Sequence, residues 1–395
     1  MTKRLTLVEQ LRGASKLAID ATRNVTSLVE EMHHTIGGGP ELLGRPLLEV
    51  TKLLTAPTYG AIRGVTTVVG AGIDLALNAL QPMLDRAGAD QGAVLAALNG
   101  VLGDSLAETN NPLAIPRQLR VDGRALDLSK PALAAQFPVG ERLLVLVHGS
   151  SMEDLQWLRK GHDHGAALAR ELGFVPLYLR YNSGLHVSEN GLGLSSLLEE
   201  AVTNWPRPVS EVVLLGHSMG GLVARSACLD AEAKQATWRP KLRALITLGT
   251  PHHGSPLERG GNWIDVLLDA NRYSAPLAKL GHLRSAGVTD LRYGNVVDEH
   301  WAGRDRFAKE GDPRGPLSLP QGVKCFAVAG TTSPAGTASP NSDGLVPVDS
   351  ALGKHETPER TLHFDATHLA YGTAHLDLLD RAEVFDRLRA WLASS

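Results

Sequence analysis

The chain has 395 residues, of which 43% are hydrophobic and 21% are charged. This composition excludes an intrinsically disordered protein and is typical of a globular protein with a large buried core. The formal net charge is −3, from 39 basic and 42 acidic residues mixed along the chain, so no long-range field favours nucleic acid as a partner. The two cysteines, Cys228 and Cys325, lie in apolar runs and are interpreted as buried thiols without a disulfide.

Residues 1–111 are predicted to form a separate, all-helical module. Apolar and small residues recur at spacings of three and four between Val8 and Ile36, a pattern typical of an amphipathic helix. Further helices are expected over residues 47–84 and 91–102. Three roles stay open for this module: a cap within the molecule, a homodimer surface, or peripheral contact with a membrane or other lipid surface.

Neither an export signal nor a membrane span is expected. Glu9 and Arg12 interrupt the N-terminal segment where a signal peptide requires an unbroken apolar stretch. The apolar segment 65–80 contains Asp74 and Asn78 and is shorter than the roughly 20 apolar residues that a span requires. We therefore expect a soluble, cytoplasmic protein.

From residue 112 onward, apolar strands alternate with helices. This alternation predicts one α/β domain over residues 112–395, with a mostly parallel sheet covered by helices on both faces. Strands are expected over 143–147, 174–181, 211–215, 242–248, 323–329 and 360–364. Helices are expected over 154–172, 191–203, 219–235 and 375–392. The segment 254–320 breaks the alternation and is interpreted as a lid or substrate-binding cap.

The strongest motif is a Gly-x-Ser-x-Gly pentad that lies between an apolar strand and a helix. It reads Gly216-His217-Ser218-Met219-Gly220-Gly221. Glycines are needed there because a serine on a sharp strand-to-helix turn leaves no room for neighbouring Cβ atoms. The turn presents the Ser218 hydroxyl at a helix N-terminus, where free N–H groups favour negative charge. The motif therefore predicts a nucleophilic serine.

The motif resembles the nucleophile elbow of the lipase and esterase branch of the α/β-hydrolase superfamily. Two further segments support the resemblance, which covers roughly residues 140–392. The run from Leu248 to Ser255 is similar to a strand-end segment of bacterial triacylglycerol lipases and of related deacylases of lipid-anchored proteins, and His148-Gly149 resembles their oxyanion segment. The resemblance implies an α/β-hydrolase fold.

The same resemblance implies an acid and a base that follow the serine in the chain. Asp343, in the run Asn341-Ser342-Asp343-Gly344, resembles the acid segment, and Asp349 and Asp365 are its competitors. His368 follows the last predicted strand and is therefore expected to be the base. His363 is placed within that strand and His375 within the terminal helix, so both are ranked lower.

The oxyanion of an acyl-transfer intermediate needs backbone N–H donors. Met219 is the first candidate by its position after the nucleophile. Ser150, after His148-Gly149, is the second, and Ser151 is the alternative. His148 itself is expected to support the loop.

No metal or dissociable cofactor is predicted. In the similar lipases an aspartate shortly after the base binds calcium, but this chain continues Leu369-Ala370 after His368. The neighbouring His252 and His253 are interpreted as a strand end lining the cleft.

These residues predict a serine carboxylic ester hydrolase that forms an acyl-enzyme with short- to medium-chain acyl esters, either small molecules or lipids. A thioesterase, a polyester depolymerase and an acyltransferase use the same machinery and stay open as alternatives. A further alternative from another class is an inactive lipid-binding or scaffold protein. The intact set of Ser218, Asp343 and His368 favours an enzyme.

Overall fold

The computed structural model describes residues 91–255, 284–306, 311–312 and 314–393. The chain divides into two compact units: one contains residues 90–105 and 114–395 together with the first two residues, and the other contains residues 3–89 and 106–113. Residues 90–105, assigned by the sequence prediction to the N-terminal module, thus belong to the unit that holds the α/β part. The helices predicted between residues 8 and 84 lie outside the described residues.

The first unit is built on an eight-stranded sheet. The strands are β1 (Gln118–Val121), β2 (Arg124–Ala125), β3 (Arg142–Val147), β4 (Val175–Arg180), β5 (Glu211–His217), β6 (Leu242–Leu248), β7 (Lys324–Thr331) and β8 (Ala366–Tyr371). Their order across the sheet is β2-β1-β4-β3-β5-β6-β7-β8. Strands β3 to β8 pair in parallel, whereas β1 pairs antiparallel with both of its neighbours.

Helices precede, connect and follow these strands. They are α1 (Gln91–Glu108), α2 (Lys130–Gln136), α3 (His164–Leu172), α4 (Val187–Asn204), α5 (Met219–Lys234), α6 (Ala286–Asp290), α7 (Val348–Ala351) and α8 (Ala382–Ala393). The helix predicted over 154–172 is a short 3-10 turn, Asp154–Trp157, followed by α3. The helix predicted over 91–102 is present as α1, and both cysteines are free and buried, as predicted.

The central strands are apolar on both faces because helices cover both sides of the sheet. Every residue of β5 is buried. One face packs with α3 and α8 around Leu146, Leu215, Leu168 and Leu388, while α5 packs against β5 and β6 and against α4. Full burial of each such leucine contributes about 1.5–3 kcal/mol to stability. The predicted α/β fold with a mostly parallel sheet is confirmed.

The last strand lies later in the chain than predicted. Residues 358–360 form a 3-10 turn, and pairing with β7 begins only at Ala366. Asp365 stops the strand from starting earlier, because its carboxylate accepts the Cys325 N–H at 2.8 Å and the Lys324 ammonium at 2.9 Å. The prediction over 360–364 was wrong because the Asp365 carboxylate, and not a backbone carbonyl of those residues, binds the Cys325 N–H of β7.

The described residues of the predicted lid are partly folded into the unit. Helix α6 begins at the N-cap Ser285, whose Oγ accepts the Val288 N–H at 3.4 Å, and all five residues of α6 are buried. Residues 256–283 and 307–310 lie outside the described part, so a lid or cap role for 254–320 stays a prediction. Among the helices that the structure describes, none combines the length and apolar character needed to cross a membrane.

Candidate active site

Ser218 occupies a strained turn between β5 and α5. Its φ is 55° and its ψ is −126°, a conformation that costs a non-glycine residue of the order of 1–3 kcal/mol. The Ser218 N–H donates to the Leu248 carbonyl at 2.8 Å, which fixes the turn on β6. A Cβ on Gly216 would lie 2.5 Å from the Gly221 Cα, and one on Gly220 would overlap the Val147 carbonyl oxygen. The glycines of the motif are therefore required by the packing.

Asp343 lies in the loop after β7, as the sequence predicts. It is 2% exposed, and its Oδ1 accepts the N–H groups of Leu345 at 2.9 Å and Val346 at 2.8 Å. Its Oδ2 lies 2.7 Å from the Nδ1 of His375. The competitors lie elsewhere: Asp349 pairs with Lys354, and Asp365 is bound at the start of β8.

His368 does not reach Asp343, and this corrects the predicted position of the base. His368 lies within β8, opposite Val328 of β7, and its Nε2 lies 2.8 Å from the Glu383 carboxylate. His375 follows β8 in the loop where the fold places its histidine, at the start of a 3-10 turn and before α8. His375 therefore replaces His368 as the candidate base. The six-residue offset of the last strand caused the error.

His375 lies against the elbow as well as against the acid. Its carbonyl lies 3.1 Å from the Nε2 of His217, the residue before the nucleophile, and the two rings are 4.8 Å apart. A Cβ on Gly249, which follows the Leu248 acceptor of the elbow, would lie 3.2 Å from the His375 Cε1. The structure thus places His375 in contact with Asp343 and against His217, the residue before Ser218.

The two predicted oxyanion donors lie next to Ser218. Met219 is the first residue of α5, so its N–H is one of those without an acceptor in the helix. Ser150 is 1% exposed and follows Gly149, on which an added Cβ would lie 3.0 Å from the Ser218 Cβ. The alternative, Ser151, already donates its N–H to the Ser183 Oγ at 2.9 Å. This arrangement favours Ser150 over Ser151, and both donors stay predictions.

His148 supports the loop in which Ser150 lies. Its Nδ1 lies 2.8 Å from the Gly149 carbonyl, its ring stacks on Tyr181 at 4.2 Å, and the Tyr181 hydroxyl donates to its carbonyl at 2.7 Å. Burial lowers the pKa of His148 to about 3. The pKa of His217 is also lowered well below its ordinary value, mainly by burial and to a smaller extent by the nearby His375. Both rings are neutral at pH 7.

These buried histidines predict loss of stability in mild acid. Burial lowers the pKa of His148 to about 3 and that of His164 to about 4, from 6.5. Below pH 6.5 the unfolded chain binds protons that the folded protein does not, so stability decreases as the pH falls from 6.5 toward these values. At pH 5 each group costs about 2 kcal/mol. We expect the free energy of unfolding, measured with urea, to be lower at pH 5.0 than at pH 7.5, with His148 and His164 together contributing about 4 kcal/mol of the decrease.

The control for this expectation is His363→Gln, because His363 is exposed. This variant should keep the pH dependence, whereas His148→Gln should reduce it. Equal unfolding free energies at the two pH values would contradict the effect.

The other paired histidines also have protein partners. His252 is buried and contacts Arg225 at 3.2 Å and Thr247 at 3.2 Å, and the His253 Nε2 lies 3.1 Å from the Gly353 carbonyl. Across the described ranges, no group of three or more His, Cys, Asp or Glu side chains could hold a metal ion. The pair His33-His34 lies outside those ranges.

A serine on a strand-to-helix elbow, followed in the chain by an acid and then by a histidine on later loops, is the order found in α/β-hydrolases. Here the elbow follows a central strand of a mostly parallel sheet, and the Asp343–His375 pair lies at the ends of β7 and β8. The sheet, the elbow and this order of residues are those of the α/β-hydrolase fold, which confirms the fold class predicted from the sequence.

Comparison with known proteins finds one family model over part of the chain and several solved structures. Residues 164–312, which include the elbow, match the model of the PGAP1-like alpha/beta domain. The Bacillus licheniformis lipase BlEst2 in its mature form is 19% identical, with a TM-score of 0.41, over 69% of this chain and 98% of that chain. The Pyrococcus furiosus esterase Pf2001 is 12% identical, with a TM-score of 0.39, over 65% of this chain and 82% of that chain.

EstA from Clostridium botulinum is 13% identical, with a TM-score of 0.38, over 65% of this chain and 87% of that chain. No curated protein matches the chain in sequence. The topology and the elbow of this protein identify its fold.

Proposed function

We propose that the protein is a serine carboxylic ester hydrolase that acts through an acyl-enzyme. The observation that carries the proposal is the 2.7 Å contact between the His375 Nδ1 and the buried Asp343 carboxylate, beside the Ser218 elbow. A serine hydroxyl is a weak nucleophile until a base accepts its proton, and the base needs a third group to fix its tautomer. Asp343 holds the proton on Nδ1, which leaves Nε2 to accept the proton from Ser218.

The reaction then follows from the arrangement. The Ser218 oxygen attacks the ester carbonyl as His375 accepts its proton, and the N–H groups of Met219 and Ser150 stabilise the tetrahedral oxyanion. His375 donates the proton to the leaving alcohol, which leaves an acyl group on Ser218. Water attacks this acyl-enzyme with His375 again as the base, and the acid product leaves. The residues account for every proton in this sequence without a cofactor.

The proposed substrates are short- to medium-chain acyl esters, as small molecules or as lipids. The lipase-like segments around Ser218 and Leu248 support this substrate class, as do the names lipase and esterase that the similar structures carry. A thioesterase, a polyester depolymerase and an acyltransferase remain the alternatives within the fold. They differ only in the leaving group or acceptor that the cleft admits.

The N-terminal module carries the remaining proposals. Association with a lipid surface and formation of a homodimer are proposed for the N-terminal part of the chain before residue 90, on the basis of the apolar stripe between Val8 and Ile36. A cytoplasmic location is proposed from the sequence alone. An inactive lipid-binding or scaffold role is the rival from another class, and a fluorophosphonate probe separates it from an enzyme because an inactive scaffold would not be labelled.

The proposal is tested by hydrolysis of p-nitrophenyl esters graded from acetate to laurate. We expect the highest kcat/KM at a short or medium chain, and a loss of at least about 10³-fold in Ser218→Ala at every chain length. An optimum at the longest ester would indicate a lipase. If wild type and Ser218→Ala are equally inactive on all esters but differ on an acyl-coenzyme A thioester, the ester proposal is wrong and the thioesterase alternative holds.

A further inference from the structure

Helix α1, which precedes the α/β part in the chain, lies directly against the loop that carries Ser150. The α1 backbone at Gly100 approaches the side chain of Ser151, the next residue of that loop. A Cβ on Gly100 would overlap the Ser151 Oγ and would lie 2.8 Å from its Cβ and 3.0 Å from its Cα. Position 100 therefore tolerates no side chain while Ser151 keeps its place.

Ser151 is held in an unfavourable backbone conformation. Its φ is 58°, in the left-handed region that costs a residue with a Cβ of the order of 1 kcal/mol. Such a conformation persists only where the surroundings enforce it. Two neighbours do so: Gly100 packs on its side chain, and the Ser183 Oγ accepts its N–H at 2.9 Å.

The segment that carries Ser183 is itself fixed to α1. The Asn182 Nδ2 donates to the Gly103 carbonyl at 2.8 Å, and the Asn182 Oδ1 accepts the Gly184 N–H at 3.0 Å. A Cβ on Gly184 would overlap the Asn99 carbonyl oxygen. Helix α1 thus contacts the Ser151 loop directly and also through the segment 182–184.

We propose that α1 is a positioning element for the oxyanion hole and that Gly100 is its central positioning residue. Gly100 sets the place of Ser151, and Ser151 sets the direction of the adjoining Ser150 N–H. The inference rests on the proposed ester-hydrolase function. Residues 92–104 lie before the first strand of the sheet. The inference gives them a role in the chemical step.

The test is Gly100→Ala in the full-length protein. The added Cβ moves Ser151, so the Ser150 N–H no longer points at the oxyanion. Loss of one such donor typically costs about 10²–10³-fold in rate, and we expect a displaced donor to lower kcat by about 10–100-fold with little change in KM. Affinity for an alkyl trifluoromethyl ketone, whose adduct with serine is a tetrahedral oxyanion, should fall by the same factor as kcat.

Two further variants separate positioning from general damage. In Gly100→Ala/Ser151→Gly the colliding Oγ and Cβ of Ser151 are absent. The loss in kcat that Gly100→Ala causes should therefore be about tenfold smaller when it is measured against Ser151→Gly than when it is measured against the wild type. Ser105→Ala, an exposed position on the same helix, should leave kcat and inhibitor affinity unchanged. Thermal unfolding of each variant shows whether it is folded at the assay temperature.

Each outcome decides the inference. The inference is overturned if Gly100→Ala has the kcat and inhibitor affinity of the wild type. It is also overturned if Gly100→Ala lowers kcat equally in the wild type and in Ser151→Gly. A fall in thermal stability with an unchanged ratio of inhibitor affinity to KM would show a merely structural contact and would also overturn it. If Ser218→Ala matches the wild type in all esterase assays, the proposed function is wrong. If Ser218→Ala is inactive and Gly100→Ala is fully active, only the positioning role is refuted.

Discussion

Replacement of His375 by alanine is expected to lower kcat for ester hydrolysis by about 10⁴–10⁶-fold, whereas His368→Ala keeps most of the activity. His375 is the imidazole that contacts the Asp343 carboxylate, at 2.7 Å, and it lies against the elbow through His217. His368 instead contacts the half-exposed Glu383, at 2.8 Å. An exposed pair of this kind is worth about 0–1 kcal/mol, so its loss should alter stability slightly and the chemical step very little.

The two variants control each other, because both remove one imidazole from neighbouring positions of the same chain segment. Circular dichroism and thermal unfolding verify that both are folded. Added imidazole should restore part of the activity of His375→Ala if the missing group is the base. Full activity in His375→Ala together with inactivity in His368→Ala would reverse the assignment made from the structure.

Asp343→Asn is expected to lower kcat by about 10⁴-fold while the fold is kept. The amide oxygen of asparagine can still accept the Leu345 and Val346 N–H groups, which now bind Oδ1 at 2.9 and 2.8 Å. Its NH₂ group would then face the His375 Nδ1 as a donor. The imidazole must respond by carrying its proton on Nε2, and in that tautomer it cannot accept the proton of Ser218.

The matched control is Asp349→Asn, an exposed carboxylate in the first turn of α7 that pairs with Lys354 at 3.5 Å. It should keep kcat close to that of the wild type. The measurement is steady-state hydrolysis of the best p-nitrophenyl ester, with KM reported separately. A loss confined to KM in Asp343→Asn would mean that the carboxylate binds substrate and does not orient the base.

Much of the catalytic core could be predicted because its signals are local. Strands β3 and β5 contain continuous apolar runs, and the glycines around Ser218 indicate the close contacts that the elbow requires. Asp343 stood out because an aspartate before glycine in a loop after β7 matched the expected position of the acid. Each of these features lies within about ten residues of chain.

The base was missed because its position depends on pairing between distant strands. Residues 360–364 alternate like a strand, but the Asp365 carboxylate binds the Cys325 N–H and moves the start of β8 to Ala366. That shift turns His368 into a strand residue and leaves His375 in the following loop. The positive φ of Gly372, 55°, marks the true end of the strand, and the glycine is the sequence signal that could have indicated it.

The role of α1 could not be predicted for a similar reason. Its glycines resemble those of any closely packed helix, and nothing local indicates that Gly100 faces Ser151, about fifty residues later in the chain. The structure assigns residues 90–105 to the same compact unit as the elbow. Contacts at such sequence separation, unlike the periodicity of a helix, leave no pattern in a single sequence.

The most direct test of the central claim is to identify the residue that a fluorophosphonate probe labels, by digestion and mass spectrometry of the full-length protein. We expect a single phosphonyl adduct on Ser218, formed much more slowly in His375→Ala and at the wild-type rate in His368→Ala. An adduct on another residue, or ester hydrolysis that persists with Ser218 unlabelled, would contradict the assignment of Ser218, Asp343 and His375 as the catalytic residues.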